Sequence, residues 1–228
     1  QEVILMVIGY VLLGFVAVMM FFGLLNEVVR SMKMEPWIAL VFVIAYIVGG
    51  VIPAIYFGSE FAFSIGGFIV PLVLAVVLTV FAGFGMTFLR TATAMLATAA
   101  VTVAVTVWMP LGNVWLNVLG SCVIGIVGGV ISYAICSSRT STAAGCVGGV
   151  VIGNIIGQFI VYFTGMADVF YLGSTMIFDA SVIGLVFSVM LACVADIYKI
   201  NHSARTNVAT EAGEDNADLS EFDDFLNK

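Results

Sequence analysis

The chain has 228 residues, of which 62% are hydrophobic and 9% are charged. Water-soluble domains contain about 45–50% apolar and about 25% charged residues, so this composition excludes a soluble globular protein and indicates an integral membrane protein. The net charge of −7 is concentrated at the C-terminal end, where seven of the fourteen acidic residues lie between Glu211 and Asp224. The remaining chain is close to neutral, which excludes a nucleic-acid-binding surface.

Several apolar segments are long enough to predict transmembrane helices, which need about 20 mostly apolar residues. In chain order they are Val3–Leu25, Trp37–Phe57, Ile65–Phe84, Ala92–Met109, Val114–Cys136, Ala143–Phe163 and Ile177–Tyr198. The connecting segments are too short for a soluble domain. We therefore expect an all-α integral membrane bundle of about seven transmembrane helices over residues 1–200, followed by an acidic, flexible cytoplasmic tail over residues 201–228.

The basic residues predict the orientation of this bundle. They follow only the first, third, fifth and seventh segments, at Arg30, Lys33, Arg90, Arg139, Lys199, Arg205 and Lys228. Because cytoplasmic loops carry the excess of Lys and Arg, we expect the N-terminus outside and the C-terminus in the cytoplasm. The chain begins with Gln1 rather than methionine, which leaves open both removal of a signal peptide and missing leading residues.

Glycine stripes mark the fifth and sixth segments. The glycines recur at a spacing of four, at Gly125, Gly129, Gly145, Gly149, Gly153 and Gly157. A glycine face lets a neighbouring backbone approach closely. Since the link between the two segments is short, we expect them to be antiparallel neighbours whose glycine faces meet. Contact between copies of the chain is the alternative use of these faces.

Proline and paired glycines interrupt two other helices. Gly66-Gly67 precede Pro71 in the third segment, and Gly49-Gly50 precede Pro53 in the second. Because proline removes a backbone hydrogen bond and clashes with the preceding turn, we expect a kink at Pro71 and a bend near Pro53. Broken helices frame many transporter sites, but kinked helices are also common without one.

A polar stripe lies beside the glycines of the sixth segment. Asn154, Gln158 and Tyr162 are spaced by four, and Asp179 lies about one turn inside the last segment. Since these two segments run in opposite directions, Asp179 is expected level with Gln158 and Tyr162. Such a cluster suits a cation or a proton. Hydrogen bonding between helices and a carboxylate at a helix start are the structural alternatives.

Two short motifs resemble those of an uncharacterised prokaryotic family of multi-pass membrane proteins of unknown function. The turn Leu172–Thr175 followed by Phe178-Asp179 resembles the start of that family's last helix, which contains Phe-Asp-Gly-Ile-Phe. Ser64–Gly67 with Pro71 resembles its Gly-Gly-x-x-x-Pro segment. The resemblance covers roughly residues 64–195. It implies a multi-pass bundle in a prokaryotic cytoplasmic membrane, and it implies no activity.

Catalytic chemistry is disfavoured. This chain has Asn154 and Ala180 where that family has an acid and a glycine, which disfavours a function that needs two carboxylates. Phe178-Asp179 also resembles half of the motif of presenilin-type intramembrane aspartyl proteases, but the second aspartate in Gly-x-Gly-Asp does not occur. The only histidine, His202, follows the last apolar segment. We therefore expect no enzyme activity, no cofactor and no metal.

The acidic tail ends in an apolar pattern spaced by three and four residues, at Leu219, Phe222, Phe225 and Leu226. This spacing is typical of a short amphipathic helix that docks into the groove of a cytoplasmic partner. A disordered solubilising tail is the alternative.

Two functions follow from these patterns. The first is a small-solute or ion transporter or channel-like protein, with a polar site between helices six and seven formed by Asp179, Asn154, Gln158 and Tyr162. The second is a non-catalytic structural subunit, which would use the glycine faces to assemble with itself or with other subunits of a membrane complex. The absence of a strong charge pair within the apolar segments favours the subunit, whereas the polar stripe level with Asp179 favours transport, which we take as the first expectation.

Overall fold

The computed structural model describes residues 7–22, 26–58, 60–109, 114–136 and 138–198. The helices in this part of the chain are α1 (Val7–Phe21), α2 (Asn26–Ser31), α3 (Pro36–Val51), α4 (Val70–Ala82), α5 (Met86–Trp108), α6 (Val114–Ile135), α7 (Arg139–Phe163) and α8 (Thr175–Tyr198). The predicted tail, with Leu219, Phe222, Phe225 and Leu226, lies outside the described residues. The predicted division of the chain at residue 200 therefore stays a prediction.

Within the described residues, five helical segments are long and apolar enough to cross a membrane. They are Ile65–Ala82, Met86–Trp108, Trp115–Ile135, Arg139–Phe163 and Thr175–Tyr198. These helices indicate an integral membrane protein. The other two predicted spans correspond to α1 and α3, which are apolar but shorter. The structure thus supports five of the seven predicted spans by length, and the count of seven stays a prediction.

Pro53 ends the second predicted span rather than bending it. Helix α3 ends at Val51, and the next residue, Ile52, has extended backbone angles of φ −72° and ψ 126°. Ile52 is the residue before Pro53, and a proline ring disfavours helical geometry at the residue that precedes it. The segment Ile55–Phe57 is a β-strand, so the prediction of a helix extending to Phe57 was wrong.

A small β-sheet, which the sequence analysis did not predict, joins two of the connecting segments. Strands β1 (Ile55–Phe57) and β2 (Phe61–Phe63) are antiparallel, and β2 pairs in parallel with β3 (Phe170–Leu172). Aromatic residues cover it, and the ring centroids of Phe61 and Phe170 are 4.7 Å apart. The sheet fixes the start of α4 beside the start of α8.

Two helices begin earlier than the hydropathy pattern predicted. Helix α7 starts at Arg139, where Ser138 and Ser141 form a capping box: the Ser138 hydroxyl accepts from the Ser141 N–H at 3.2 Å, and the Ser141 hydroxyl accepts from the Ser138 N–H at 3.3 Å. Helix α5 starts at Met86 and includes Arg90. The polar first turn of α7 lowers the local hydropathy although its capping box satisfies free N–H groups of the helix start.

A π-helical turn precedes Pro71. It covers Ile65–Ile69, and its first N–H groups are capped by Ser64, whose hydroxyl accepts from the Gly67 N–H at 3.2 Å. Pro71 is buried at the second position of α4 and has no N–H to donate to the preceding turn. The interruption of this helix is therefore a wide turn immediately before the proline, and the predicted kink itself stays a prediction.

The bundle packs around α7, most of whose residues are buried and which contacts α4, α5 and α6. A second apolar core lies between α1, α3, α4 and α8, around Tyr46, Leu78 and Phe178. These two cores meet along α8, which begins beside the small sheet. The start of α8 therefore lies next to the small sheet and where the two cores meet.

The described basic residues lie at the opposite end of the bundle from the sheet. The Arg139 guanidinium donates to the Ser31 hydroxyl at 2.7 Å, and the Cys136 thiol lies 3.9 Å from the Arg90 carbonyl oxygen. The α2–α3 turn, the start of α5 and the start of α7 therefore share one end. The acidic residues Glu60 and Asp168 lie near the sheet in the sequence.

Candidate functional site at the start of helix α8

Asp179 is the fifth residue of α8, and its side chain is only 1% exposed. It faces α1, where Gly9 leaves room for the carboxyl group, because a Cβ at position 9 would collide with Oδ1. The backbone N–H of Gly9 acts as a hydrogen-bond donor to the carboxylate. Within the described residues, Oδ1 has no partner in hydrogen-bonding geometry, and no basic side chain interacts with the carboxyl group.

Phe178, which precedes Asp179 in the sequence, is packed between aromatic rings. The Phe178 ring packs between Tyr10 of α1 and Tyr46 of α3, with ring centroids 5.5 and 5.9 Å apart. The Tyr10 hydroxyl lies over the bare backbone of Gly50 and interacts electrostatically with Asp179. Like Asp179 Oδ1, this buried hydroxyl has no hydrogen-bond partner among the described residues. The Tyr10 hydroxyl and Asp179 Oδ1, both without a hydrogen-bond partner among the described residues, thus belong to one cluster.

Glycines bring the interrupted elements into backbone contact beside this cluster. A Cβ on Gly66, in the π-helical turn, would lie 2.8 Å from the Gly50 Cα at the end of α3. A Cβ on Gly67 would lie 2.7 Å from the carbonyl carbon of Gly173. Gly173 has φ +79°, a left-handed conformation that favours glycine. No side chain fits at these contacts, so the glycines let the end of α3, the π-helical turn and the Gly173 turn touch through their backbones.

Asn154 supports the turn that leads into α8. Its side chain is fully buried, and Oδ1 accepts a hydrogen bond from the Gly173 N–H at 3.0 Å. Its Nδ2 has no partner among the described residues. The amide therefore helps to fix the backbone that positions Asp179.

The other two predicted site residues lie further along α7. Gln158 is buried, with 3% of its surface exposed, whereas the Tyr162 hydroxyl donates to Glu60 Oε2 at 3.2 Å beside the sheet. The partners that the structure gives Asp179 come from α1. Sequence reasoning missed Gly9 and Tyr10, although a glycine and a tyrosine in succession inside an apolar segment were a usable signal.

The glycine stripe of α7 packs against α5. Each of its glycines faces one small residue of a matching stripe on that helix, in the order Ala94, Thr98, Thr102 and Thr106. We call this contact the α5–α7 seam. The expectation that the stripe meets the glycines of α6 was wrong. The physical reason is shape, because the Cβ and methyl groups of α5 recur at the same four-residue spacing and fit the glycine groove of α7.

Gly125 and Gly129 of α6 face α8 instead. A Cβ on Gly125 would lie 2.8 Å from the Ile183 side chain, and one on Gly129 would lie 3.0 Å from the Phe187 ring. Larger side chains of α8 thus fill the groove of α6. All six predicted packing glycines contact helices of the same chain.

No family model, curated protein or solved structure matches the chain. The resemblance to the membrane family therefore depends on its motifs alone. The structure brings those motifs together, because Gly67 of one contacts Gly173 of the other. The function has to be argued from this site.

Proposed function

We propose that the protein is a small transporter that carries, or is driven by, a proton or a monovalent cation, and that Asp179 binds this ion. The observation that supports the proposal is the buried carboxyl group, one oxygen of which is unpaired and which has no basic partner among the described residues. An ionisable side chain in a membrane-spanning helix costs about 2.5 kcal/mol or more at the bilayer centre, so such residues are usually paired or functional.

A purely capping role fits Asp179 less well. A capping side chain accepts from the free N–H groups of the first turn of its own helix. Asp179 is already the fifth residue of α8, and its backbone donor comes from Gly9 on another helix. The carboxyl group therefore bridges two helices, which is the arrangement expected of a site whose occupancy affects how those helices pack.

The surroundings supply further ligands for an ion. The Tyr10 hydroxyl is the second unused polar group, and a bound cation or a proton on the carboxyl group would remove the uncompensated charge of Asp179. The nearby π-helical turn Ile65–Ile69 and the turn at Gly173 depart from regular α-helix beside the site. Such interruptions provide backbone carbonyl groups and a place for movement in transporters.

The positions of the basic residues support the proposed orientation. With Arg30, Lys33, Arg90 and Arg139 at one end, the positive-inside rule places that end in the cytoplasm and the small sheet outside. Asp179 then lies nearer the outer surface. A prokaryotic cytoplasmic membrane remains the expected location.

The glycine contacts weaken the alternative of a structural subunit. That function would use glycine faces for assembly, but Gly125 and Gly129 are covered by α8, and the stripe of α7 is covered by α5. A subunit of this kind would need another surface for assembly. That function also gives no role to the Asp179 oxygen that lacks a partner among the described residues.

Proton and sodium flux into sealed vesicles tests the proposal. Purified protein is reconstituted with a pH-sensitive dye inside, and a membrane potential is imposed with and without Na⁺. We expect flux for the wild type and a fall to the level of protein-free vesicles for Asp179→Asn. Asp196→Asn, a change of the second acid on the same helix, should keep the wild-type flux. Equal flux for wild type and Asp179→Asn would overturn the assignment.

A further inference from the structure

Two pockets adjoin at the end of the bundle that carries the basic residues. One is a cavity of about 160 Å³ between α1, α3, α4 and α8, and its lining is apolar, with Leu13, Phe42 and Leu78 among its residues. The other is an open pocket of about 500 Å³ at the α2–α3 turn. Met34 lines both pockets, so they adjoin at this residue. Neither belongs to the site around Asp179.

The open pocket has the chemistry of a headgroup site. Arg30 and Lys33 line it together with one acid, Glu35, which leaves a formal charge of +1. An arginine guanidinium binds phosphate oxygens in pairs, and a lysine ammonium adds a point charge. Trp37 also lines the pocket and is 72% exposed, as is typical of tryptophan at the membrane interface.

A strained turn at Lys33 brings the two basic residues of this pocket together. Lys33 has φ +59°, the only positive value among the described residues other than glycine. This left-handed conformation is unfavourable for a residue with a Cβ. The Lys33 N–H donates to the Arg30 carbonyl oxygen at 2.9 Å, so the tight turn keeps both basic residues at one pocket. Glycine would relieve the strain but would remove one of the two cations.

The apolar cavity suits part of a hydrocarbon chain. A dry cavity of about 150 Å³ is large enough to hold benzene, so this cavity of about 160 Å³ accommodates a short stretch of an acyl chain. Its rim includes Met190, which is 60% exposed, so the cavity opens at the side of the bundle. The bilayer interior is as apolar as the lining of the cavity, so an acyl chain gains little hydrophobic free energy by entering the cavity. Selectivity must then come from the headgroup.

We propose that these pockets together bind one phospholipid of the bilayer with an anionic headgroup. Its phosphate lies between Arg30 and Lys33, and part of one acyl chain enters the cavity. The net charge of the pocket matches the single negative charge of such a lipid. This lipid site is independent of the transport function proposed for Asp179.

Lipid retention during native mass spectrometry tests the headgroup site. The full chain is purified with equal amounts of phosphatidylglycerol, phosphatidylethanolamine and phosphatidylcholine. We expect one phosphatidylglycerol to be retained preferentially. The double variant Arg30→Gln/Lys33→Gln should retain it about 25-fold more weakly, from the usual contribution of two basic residues near an anionic lipid. Arg90→Gln, at the same end but outside the pocket, should behave as wild type.

A second variant tests the acyl-chain cavity without changing any charge. Ala39 lines the cavity, so Ala39→Phe should fill it and weaken phosphatidylglycerol retention, whereas Ala100→Phe on the exposed face of α5 should not. Thermal unfolding of each variant checks that it is folded. Equal retention of the three lipids by the wild type, or unchanged retention in both the double variant and Ala39→Phe, would overturn the proposal.

Discussion

The α5–α7 seam and the site at the start of α8 are both built from glycines and buried polar residues, but they differ in how completely those residues are used. In the seam, every glycine faces a small side chain, and the hydroxyls of Thr102 and Thr106 donate to carbonyl groups of their own helix at 3.0 and 2.8 Å. At the site, Asp179 Oδ1 and the Tyr10 hydroxyl have no partner among the described residues.

This difference separates stability from function. Buried polar groups in proteins are nearly always hydrogen-bonded, so each unpaired one needs an explanation. The seam needs none, since its polar groups are paired and its packing is tight. At the site, one oxygen of the buried acid lacks a partner among the described residues, at a cost to stability. This is expected where a ligand or a proton supplies the missing partner. Substitutions should therefore damage folding at the seam and the proposed transport at the site.

The largest effect is expected at Gly149 in the seam. A Cβ there would overlap the Thr98 side chain and would lie 2.7 Å from the Met95 carbonyl oxygen, which belongs to the backbone and cannot turn away. Overpacking of this kind costs about 1–3 kcal/mol and sometimes more. We expect Gly149→Ala to lower the free energy of unfolding by about 3 kcal/mol, measured by denaturation in mixed micelles.

Two further glycines make this a graded comparison. A Cβ on Gly157 would meet only the Thr106 side chain, at 3.1 Å or more, whereas one on Gly14 of α1 would have nothing within 4 Å. Gly157→Ala should therefore be milder than Gly149→Ala, and Gly14→Ala should be neutral or slightly stabilising. Equal losses at all three positions would show that helix flexibility rather than packing explains the glycines.

The next effect concerns Asn154, which connects the two regions. Its side chain lies on α7 beside the glycine stripe, but its Oδ1 accepts from the Gly173 N–H at 3.0 Å. Asn154→Leu leaves that buried N–H unpaired, at a cost of about 1–3 kcal/mol. At a pH low enough to protonate the new carboxyl group, Asn154→Asp keeps an oxygen acceptor without a buried charge and should lose less. If Asn154→Leu has the same free energy of unfolding as wild type, the Gly173 turn is held by its glycine contacts alone.

A smaller effect is expected at Thr98. Its hydroxyl lies 3.2 Å from the Ser132 hydroxyl, so it links α5 to α6 while its methyl group packs on Gly149. Thr98→Val keeps the shape and removes the hydrogen bond, which in membrane proteins is worth about 0.6 kcal/mol. The control is Thr93→Val, an exposed threonine that bonds within its own helix. A loss of several kcal/mol at Thr98 would contradict the view that the seam depends on shape.

The sequence predicted the membrane bundle but not which helix faces which. Hydropathy reports the burial of a segment in lipid or protein, and it located the long helices because their apolar length is the signal. The partner of the glycine stripe depends on the shape of the opposing surface. Ala94, Thr98, Thr102 and Thr106 carried that information at the same spacing, but the short α6–α7 link suggested another neighbour.

The candidate site was predicted only in part for a similar reason. Asp179 stood out because an acid in an apolar segment is rare and costly. Its contact with Gly9 and Tyr10 is a long-range pairing of the first and last described helices, which spacing within one helix cannot reveal. The small sheet was missed because its strands are three residues long and lie in connections between helices.

The smallest effect on stability, and the most informative, is expected for Asp179→Asn. Asparagine has nearly the same shape and keeps an oxygen that can accept from the Gly9 N–H, but it cannot carry a charge or release a proton. The carboxyl group has no basic partner among the described residues. Replacing it with a neutral amide should therefore leave the free energy of unfolding within about 1 kcal/mol of wild type, or raise it. Ion flux, in contrast, should be lost. If the variant instead unfolds as readily as Asn154→Leu, the carboxyl group is a structural link between α1 and α8, and the site belongs with the seam.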